Sequence, residues 1–216
     1  MTITMTMPRD VASFPSDEPM VRGPLFSRLD IPVPLATVRA EVSQLMARAW
    51  LPHVNRGDYD GGWDVMPLRC QKQHVDAHPI LQGFSLASAT DLWDDLPALQ
   101  PCTAIRQLLG TIRCPLKSVR LMRLHAGASI RPHRDHGLHL GCGEARLHVP
   151  VWTNPDVHFI VAGHEMPMHE GEIWYFNADE EHEVVNNSQA TRTHLVMDCV
   201  VTPWLVERIQ EGALCA

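Results

Sequence analysis

The residues of this chain that are best suited to chemistry lie in the segment ASIRPHRDHGLH, where His133 and Asp135 form an H-x-D pair. In an extended strand, residues i and i+2 project from the same face and stand about 7 Å apart. An imidazole nitrogen and a carboxylate oxygen at these positions can therefore converge on one metal ion. A third ligand must come from elsewhere, and His182 is the best candidate because it opens a β-rich stretch directly after a turn.

Two histidines and one carboxylate on one face of a metal ion leave three coordination positions open. Iron(II) oxygenases use this arrangement because they bind a bidentate co-substrate and O2 at the same ion. Arg192, ten residues beyond His182, opens the stretch RTHLVMD. If its strand neighbours the strand of His182, its guanidinium can hold the distal carboxylate of a dicarboxylic acid through two hydrogen bonds.

An H-x-D pair alone is weak evidence for a metal site, because a chain with 13 histidines contains such pairs by chance. The competing interpretation makes His133 and Asp135 polar loop residues and His182 a surface histidine. The distal histidine, the later arginine and the β-rich surroundings together favour the metal site over this alternative.

Six other polar residues can each be interpreted in two ways. Each is either a structural or solvent-exposed group, or a residue that contacts the substrate or supports the metal site. These residues are Arg69, Arg123, His136, His139, His194 and Asp198.

Short β-rich stretches dominate the chain after residue 117, and Gly, Pro, Asn or Asp residues separate most of them. In order they are KSVRLMRLHAG, ARLHVPVWT, VHFIVAG, GEIWYFNA, HEVVNN and RTHLVMDCVVT. Many short strands of this kind predict a sandwich or a closed barrel. In ARLHVPV, apolar residues alternate with Arg146 and His148, so one strand face is apolar and the other presents a cation and an imidazole.

The pattern along the chain predicts one domain over residues 26–216, preceded by a flexible arm over residues 1–25. Within the domain we expect a helical N-terminal part over about 26–115, with helices near 34–50 and 101–110. A β-core over about 116–204 follows, and a helix over 203–214 closes the chain.

Composition narrows the class of protein. The 216 residues are 45% hydrophobic and 20% charged, which is typical of a globular protein, and the net charge of −7 argues against nucleic-acid binding. No apolar run is long enough to span a bilayer, and the N-terminus lacks the features of a signal peptide. The six cysteines form no CxxC pair, so we expect reduced thiols and a cytoplasmic location.

Four ordered motifs extend the H-x-D pattern into a family resemblance: RPHRD, RLHVPVWTNPDVHF, GEIWYFNADEEHEVVNNS and TRTHLVMD. Residues from about 119 to 204 resemble the aspartyl/asparaginyl β-hydroxylase family of 2-oxoglutarate oxygenases, which includes bacterial free-amino-acid hydroxylases such as proline hydroxylases. Before the core, WDVMPLR is similar to a segment of these relatives. The resemblance implies a mainly β fold, a double-stranded β-helix of the jelly-roll or cupin-like type with flanking α-helices.

The resemblance also implies the cofactors and their residues. It implies iron(II) held by His133, Asp135 and His182, with 2-oxoglutarate and O2 as co-substrates. It further implies that Arg192 anchors the distal carboxylate of 2-oxoglutarate. Arg146 and His148 are then expected near a carboxylate of the co-substrate or the substrate.

The function indicated by these features is hydroxylation of an unactivated C–H bond in a free amino acid or an amino-acid-like small molecule. A second possibility is hydroxylation of an Asp or Asn residue in a peptide or natural-product precursor. A third belongs to another class, a cupin-like sensor that binds a metal and a ligand without turnover. Neither nucleic acid nor membrane is an expected partner, and the oligomeric state is left open.

Overall fold

The structure is a computed structural model that describes residues 23–82 and 92–213. Its strands are β1 (Phe26–Leu29), β2 (Leu51–Pro52), β3 (Tyr59–Asp60), β4 (Trp63–Gln71), β5 (Trp93–Asp95), β6 (Leu116–Leu124), β7 (Ser129–His133), β8 (Glu144–Trp152), β9 (Val157–Val161), β10 (His164–Glu165), β11 (Ile173–Phe176), β12 (His182–Asn186) and β13 (Arg192–Val200). Its helices are α1 (Leu35–Leu45), α2 (Pro79–Gln82), α3 (Thr103–Thr111) and α4 (Pro203–Ala213). The predicted N-terminal arm lies outside the described residues, apart from residues 23–25.

The strands form two antiparallel sheets that enclose a common core. The larger sheet has the order β1-β11-β8-β13-β6-β4-β2, with β5 paired to β4. The smaller sheet has the order β10-β9-β12-β7-β3. Consecutive strands of the β-core often lie in different sheets, so residues far apart in sequence face each other across the core. The six β-rich stretches predicted after residue 117 each form one strand.

The N-terminal part, predicted to be helical, supplies strands as well as helices. Strand β1 pairs with β11 and strand β4 pairs with β6, so this part of the chain extends the larger sheet. In β4, Trp63 and Val65 pack between the sheets, whereas Met66 and Leu68 pack on the opposite side. A strand buried on both faces lacks the clean polar alternation by which a strand is recognised in sequence, which explains why it was missed.

Two apolar clusters hold the layers together. One lies between the larger sheet and the helices α1, α3 and α4, and the other lies between the two sheets. The alternation predicted for β8 is present: Leu147, Val149 and Val151 enter the helix-side cluster, and Arg146 and His148 point to the space between the sheets. The polar face of β8 therefore looks into the interior of the sandwich.

Among the described cysteines all five are free thiols and only Cys142 is exposed, as expected for a reduced protein. None of the helices in residues 23–82 and 92–213 has the length and apolar character needed to cross a bilayer. The cytoplasmic location stays a prediction.

Candidate active site

A cavity of about 700 Å³ opens between the two sheets and is lined by side chains from both. His133 and His182 enter it from the smaller sheet, at the ends of β7 and β12, where they are directly paired across the two strands. Asp135 follows two residues after the end of β7, and its backbone N–H donates to the carbonyl of Ala178. The strand pairing thus brings the distal histidine to the H-x-D pair.

The three side chains offer ligand atoms that all lie within 4.8 Å of one another. The Nε2 atom of His182 is 4.0 Å from Oδ2 of Asp135, and the rings of the two histidines are 4.2 Å apart. This spacing places two nitrogens and one oxygen around a position that one ion can occupy.

Backbone carbonyls fix the orientation of both imidazoles. Nδ1 of His133 is 2.8 Å from the carbonyl oxygen of Arg131, and Nδ1 of His182 is 3.0 Å from that of Glu180. Because a carbonyl can only accept, each Nδ1 carries the proton and each Nε2 presents its lone pair to the cavity. Glu180, two residues before His182, therefore orients the ring through its backbone carbonyl and not through its carboxylate.

The protonation states favour metal binding. Burial lowers the pKa of His182 to about 4, so its imidazole is neutral at physiological pH. Burial opposes ionisation of Asp135, but the charges of Arg146, His182 and His133 outweigh it and hold the pKa of this carboxyl below its usual value. Neutral imidazoles and an ionised carboxylate are the forms that coordinate a metal.

Arg192 reaches the same cavity from the opposite sheet. Its strand does not neighbour the strand of His182, because β13 pairs with β6 and β8, whereas β12 pairs with β7 and β9. The two side chains meet by facing each other across the sandwich. Successive strands alternate between sheets in this fold, so closeness along the sequence does not mean adjacency in a sheet.

Arg192 is a buried cation for which the described residues provide no carboxylate partner. It is 2% exposed, its Nη2 donates to Nδ1 of His194 at 2.7 Å, and its Nε has no hydrogen-bond partner there. Its guanidinium carbon lies 5.6 Å from the ring centre of Phe159. Burial lowers the pKa of Arg192 to about 9, so the group still carries its charge at neutral pH. A buried charge of this kind requires an anionic partner.

His148 and His194 extend this polar group. Their Nδ1 atoms are 3.2 Å apart, and both rings are buried. Since Arg192 can only donate, Nδ1 of His194 accepts, and the proton of this contact resides on Nδ1 of His148. The Nε2 atoms of both rings lack a partner among the described residues. His194 is thus buried and hydrogen-bonded, whereas His148 also lines the cavity.

A second charged group lines the cavity on the larger sheet. Asp198 accepts from Nε of Arg146 at 2.7 Å and from Nη1 of Arg120 at 2.9 Å. Arg146 also contacts Asp135 through Nη1. Burial raises the pKa of Asp198, but the two arginines outweigh burial and lower it well below its usual range. Arg146 therefore contacts two carboxylates of the protein, and one of them is the candidate metal ligand Asp135.

The sequence left Asp198 open between a structural role and support of the site, and it did not single out Arg120. A signal existed in β6, where Ser118, Arg120 and Met122 alternate with the apolar Val119 and Leu121. This alternation places Arg120 on the inner face, but its partners lie on other strands.

The remaining open residues divide between the cavity and the surface. Arg69 pairs with Asp95 outside the cavity, and Arg123 pairs with Asp64 at 2.8 Å. His136 lines the cavity and contacts Asp179, whereas His139 is half-buried and does not belong to the lining.

The residues fit a divalent metal and a dicarboxylic co-substrate. The donor set of two imidazoles and one carboxylate suits iron(II) and leaves positions open towards the cavity. Arg192, with a free Nε and no carboxylate partner in the described part of the chain, supplies the counter-charge that a distal carboxylate needs.

Residues 34–202 match the family model described as Aspartyl/Asparaginyl beta-hydroxylase. One relative, the L-proline cis-4-hydroxylase of Rhizobium meliloti (strain 1021), is 28% identical over 142 residues, which are 66% of this chain and 49% of the relative. The chain thus spans about half the length of this curated relative.

Two solved structures share the fold. A 2OG-Fe(II) oxygenase family oxidoreductase from Burkholderia pseudomallei is 17% identical with a TM-score of 0.51, over 74% of this chain and 78% of that one. The non-heme α-ketoglutarate-dependent epimerase SnoN of nogalamycin biosynthesis is 10% identical with a TM-score of 0.51, over 84% and 78%. These likenesses confirm the double-stranded β-helix. Because the family model matches most of this chain, the chain belongs to the aspartyl/asparaginyl β-hydroxylase family. The members of this family are 2-oxoglutarate-dependent hydroxylases.

Proposed function

We propose that this protein is an iron(II)- and 2-oxoglutarate-dependent dioxygenase that hydroxylates a free amino acid or an amino-acid-like small molecule. The observation that carries the proposal is the meeting of His133, Asp135 and His182 in one cavity with the buried Arg192, which has no carboxylate partner among residues 23–82 and 92–213. Family membership and the likeness to a proline hydroxylase support it.

Each group of the site has a distinct task in this proposal. Iron(II), 2-oxoglutarate and O2 together convert a C–H bond of the substrate to an alcohol, with 2-oxoglutarate converted to succinate and carbon dioxide. His133, Asp135 and His182 hold the ion, and Arg192 binds the distal carboxylate of the co-substrate. The apolar lining, which includes Phe159, limits the access of water to the reacting atoms.

The charges of the lining favour a substrate that carries a carboxylate. Two cations of the lining are already paired, Lys117 with Glu144 and Arg134 with Glu180. Apart from Asp58 on the turn, the remaining lining charges are three positive, from Arg120, Arg146 and Arg192, and two negative, from Asp135 and Asp198. A divalent ion adds two positive charges and 2-oxoglutarate adds two negative charges, so one positive charge remains for the substrate to neutralise. A single free carboxylate provides this neutralisation, in accordance with electrostatic complementarity.

An amino group can be accommodated in the same cavity. Asp58, in the turn before β3, belongs to the lining and offers a carboxylate to an ammonium group. Lys117 and Glu144, also in the lining, pair with each other at 2.5 Å and cancel in charge. The arginines of the larger sheet suit the carboxylate of a zwitterionic amino acid, and Asp58 on the turn suits its ammonium group.

The peptide alternative differs in its charges. An Asn residue within a peptide brings no carboxylate and leaves the remaining positive charge uncompensated. An Asp residue within a peptide brings a carboxylate but no ammonium group. We therefore favour the free amino acid, and the same screen tests the peptide substrates.

The test is anaerobic reconstitution with iron(II), followed by a screen for succinate release on addition of O2. The screen covers the proteinogenic amino acids, L-proline among them, and short peptides that contain Asp or Asn. Substrate-stimulated succinate, together with a product heavier by one oxygen atom, is the expected result for at least one free amino acid.

Variants assign the metal ligands in this assay. His133→Ala and Asp135→Ala are expected to abolish substrate-coupled succinate formation. The matched control is His164→Ala, because His164 is exposed on β10 and does not line the cavity. Full turnover in His133→Ala or Asp135→Ala would overturn the ligand assignment. Metal and ligand binding without turnover of any substrate would favour the sensor.

A further inference from the structure

Asp198 occupies the centre of the larger sheet and faces the cavity. Its strand, β13, lies between β8 and β6, and Asp198 is directly paired with Arg146 on β8. Its carboxylate accepts from Arg146 through Nε at 2.7 Å and Nη2 at 3.1 Å. From the other side it accepts from Arg120 at 2.9 Å and from Oγ of Ser118 at 3.0 Å. The side chain is 5% exposed, so these contacts replace its water.

Arg146 connects this buried carboxylate to the metal site. Two of its nitrogens are held by Asp198, and the third, Nη1, contacts Oδ2 of Asp135. The guanidinium is planar and rigid, so holding two nitrogens also fixes the direction of the third. The orientation of Nη1 towards Asp135 is thereby set from β13.

The three metal-binding side chains differ in how they are oriented. The two histidines each have a backbone carbonyl as partner of Nδ1. Asp135 lies beyond the end of its strand with its side chain 30% exposed, and Arg146 is its hydrogen-bond donor in the described part of the chain. Unlike a carbonyl, an arginine side chain has many rotamers, and it orients a ligand only if it is itself anchored.

We propose that Asp198 is a positioning residue for the metal site: it fixes Arg146, and Arg146 fixes the carboxylate of Asp135. The inference rests on the proposed function, since it takes Asp135 as a metal ligand. Groups that orient a ligand commonly change metal affinity about 10- to 100-fold when they are replaced. Asp198 acts on Asp135 indirectly, through Arg146.

The experiment measures the binding of cobalt(II) alone to the full chain, without co-substrate or substrate. Cobalt(II) serves as the probe because its visible spectrum reports the ligands, and a competing chelator gives its dissociation constant. In Asp198→Asn, Arg146 loses its charged anchor, and we expect about 10- to 100-fold weaker binding and an altered spectrum. The same change is expected for Arg146→Lys, because one ammonium group cannot hold both carboxylates in the geometry of the guanidinium fork.

The second variant protects the test against loss of folding. Arg146→Lys keeps the charge balance of the cluster. If Asp198→Asn does not fold, this variant still tests whether the anchored guanidinium orients the carboxylate of Asp135. The matched control is Glu172→Gln, because Glu172 also accepts several hydrogen bonds, from Arg28, Trp174 and His169, but does not line the cavity. Its cobalt(II) affinity is expected to equal that of the unaltered protein.

Three outcomes are distinguishable. Weaker cobalt(II) binding in Asp198→Asn or Arg146→Lys, with normal binding in Glu172→Gln, supports the positioning role. Unchanged affinity and spectrum in the folded variants would show that Asp198 stabilises the fold alone. If the unaltered chain binds no cobalt(II) at all, the proposed function fails, and the inference fails with it.

Discussion

Replacing Arg192 with methionine is expected to make the ligand-free protein more stable while it weakens the binding of 2-oxoglutarate. Burial lowers the pKa of Arg192 to about 9, and at about 1.4 kcal/mol per pH unit this shift corresponds to a cost of roughly 5 kcal/mol for keeping the charge in the folded state. At neutral pH the guanidinium is charged in both states, so the folded protein bears this whole cost.

Two contacts offset part of the cost. The hydrogen bond to His194 contributes about 1.5–3 kcal/mol, and the contact of the guanidinium with the ring of Phe159 contributes about 1 kcal/mol. Methionine fills a similar volume without a charge. We therefore expect Arg192→Met to raise the free energy of unfolding of the ligand-free protein by about 1–2 kcal/mol, as found for other buried ions replaced by apolar groups.

Binding should change in the opposite direction. Without Arg192 the distal carboxylate of 2-oxoglutarate is buried with no cation, which costs about 2–5 kcal/mol and corresponds to a loss of affinity of about 30-fold to several thousandfold. Urea denaturation measures the first effect, and anaerobic calorimetry with manganese(II) and 2-oxoglutarate measures the second. Arg69→Met is the control, because Arg69 pairs with Asp95 outside the cavity. A destabilised Arg192→Met protein that binds 2-oxoglutarate normally would refute the reasoning.

Two further predictions concern stability. Burial, as the largest cause, holds the pKa values of His148 and His194 well below 6.5, so below about pH 6.5 the unfolded chain takes up protons that the folded chain excludes. Stability is thus retained above that pH and falls as the pH decreases; the urea midpoint should be lower at about pH 5.5 than at about pH 7.5, and the drop should be smaller in His194→Gln. In α4, a Cβ on Gly212 would overlap the backbone carbonyl of Arg28, so Gly212→Ala should destabilise by about 1–3 kcal/mol. Gly110→Ala in α3 meets nothing within 4 Å and should stabilise by about 0.5–1 kcal/mol; equal effects of the two changes in thermal melts would contradict this account.

Local patterns were sufficient to predict which face of a strand carries the chemistry. In β8 the alternation of apolar residues with Arg146 and His148 predicted the inner, polar face, and the structure has this arrangement. His133 and Asp135 also lie close together, but Asp135 follows the end of β7, so strand parity alone does not account for its position. The prediction for β8 succeeds because the side-chain direction in a strand depends on residue parity.

The partners of these residues could not be predicted in the same way. That His182 lies opposite His133 depends on the pairing of β12 with β7, and that Arg192 faces them depends on the distance between the sheets. For Asp198 the sequence could not decide between a structural role and support of the site, because its partners are arginines on two other strands. Pairings between distant segments are tertiary properties, which no local periodicity contains.

The ring of Phe159 links the two halves of the site, which lie on different sheets. Its ring stacks on that of His182 at 6.2 Å with an angle of 7°, and the guanidinium of Arg192 lies 5.6 Å from its centre. It also meets the rings of His148 and Phe176 edge to face. A single buried ring thus contacts both a residue of the candidate metal site and the proposed anchor of the co-substrate. Because interiors are closely packed, a shift of one sheet is transmitted to the other through this ring, so the position of His182 relative to Arg192 is set by packing as well as by polar contacts.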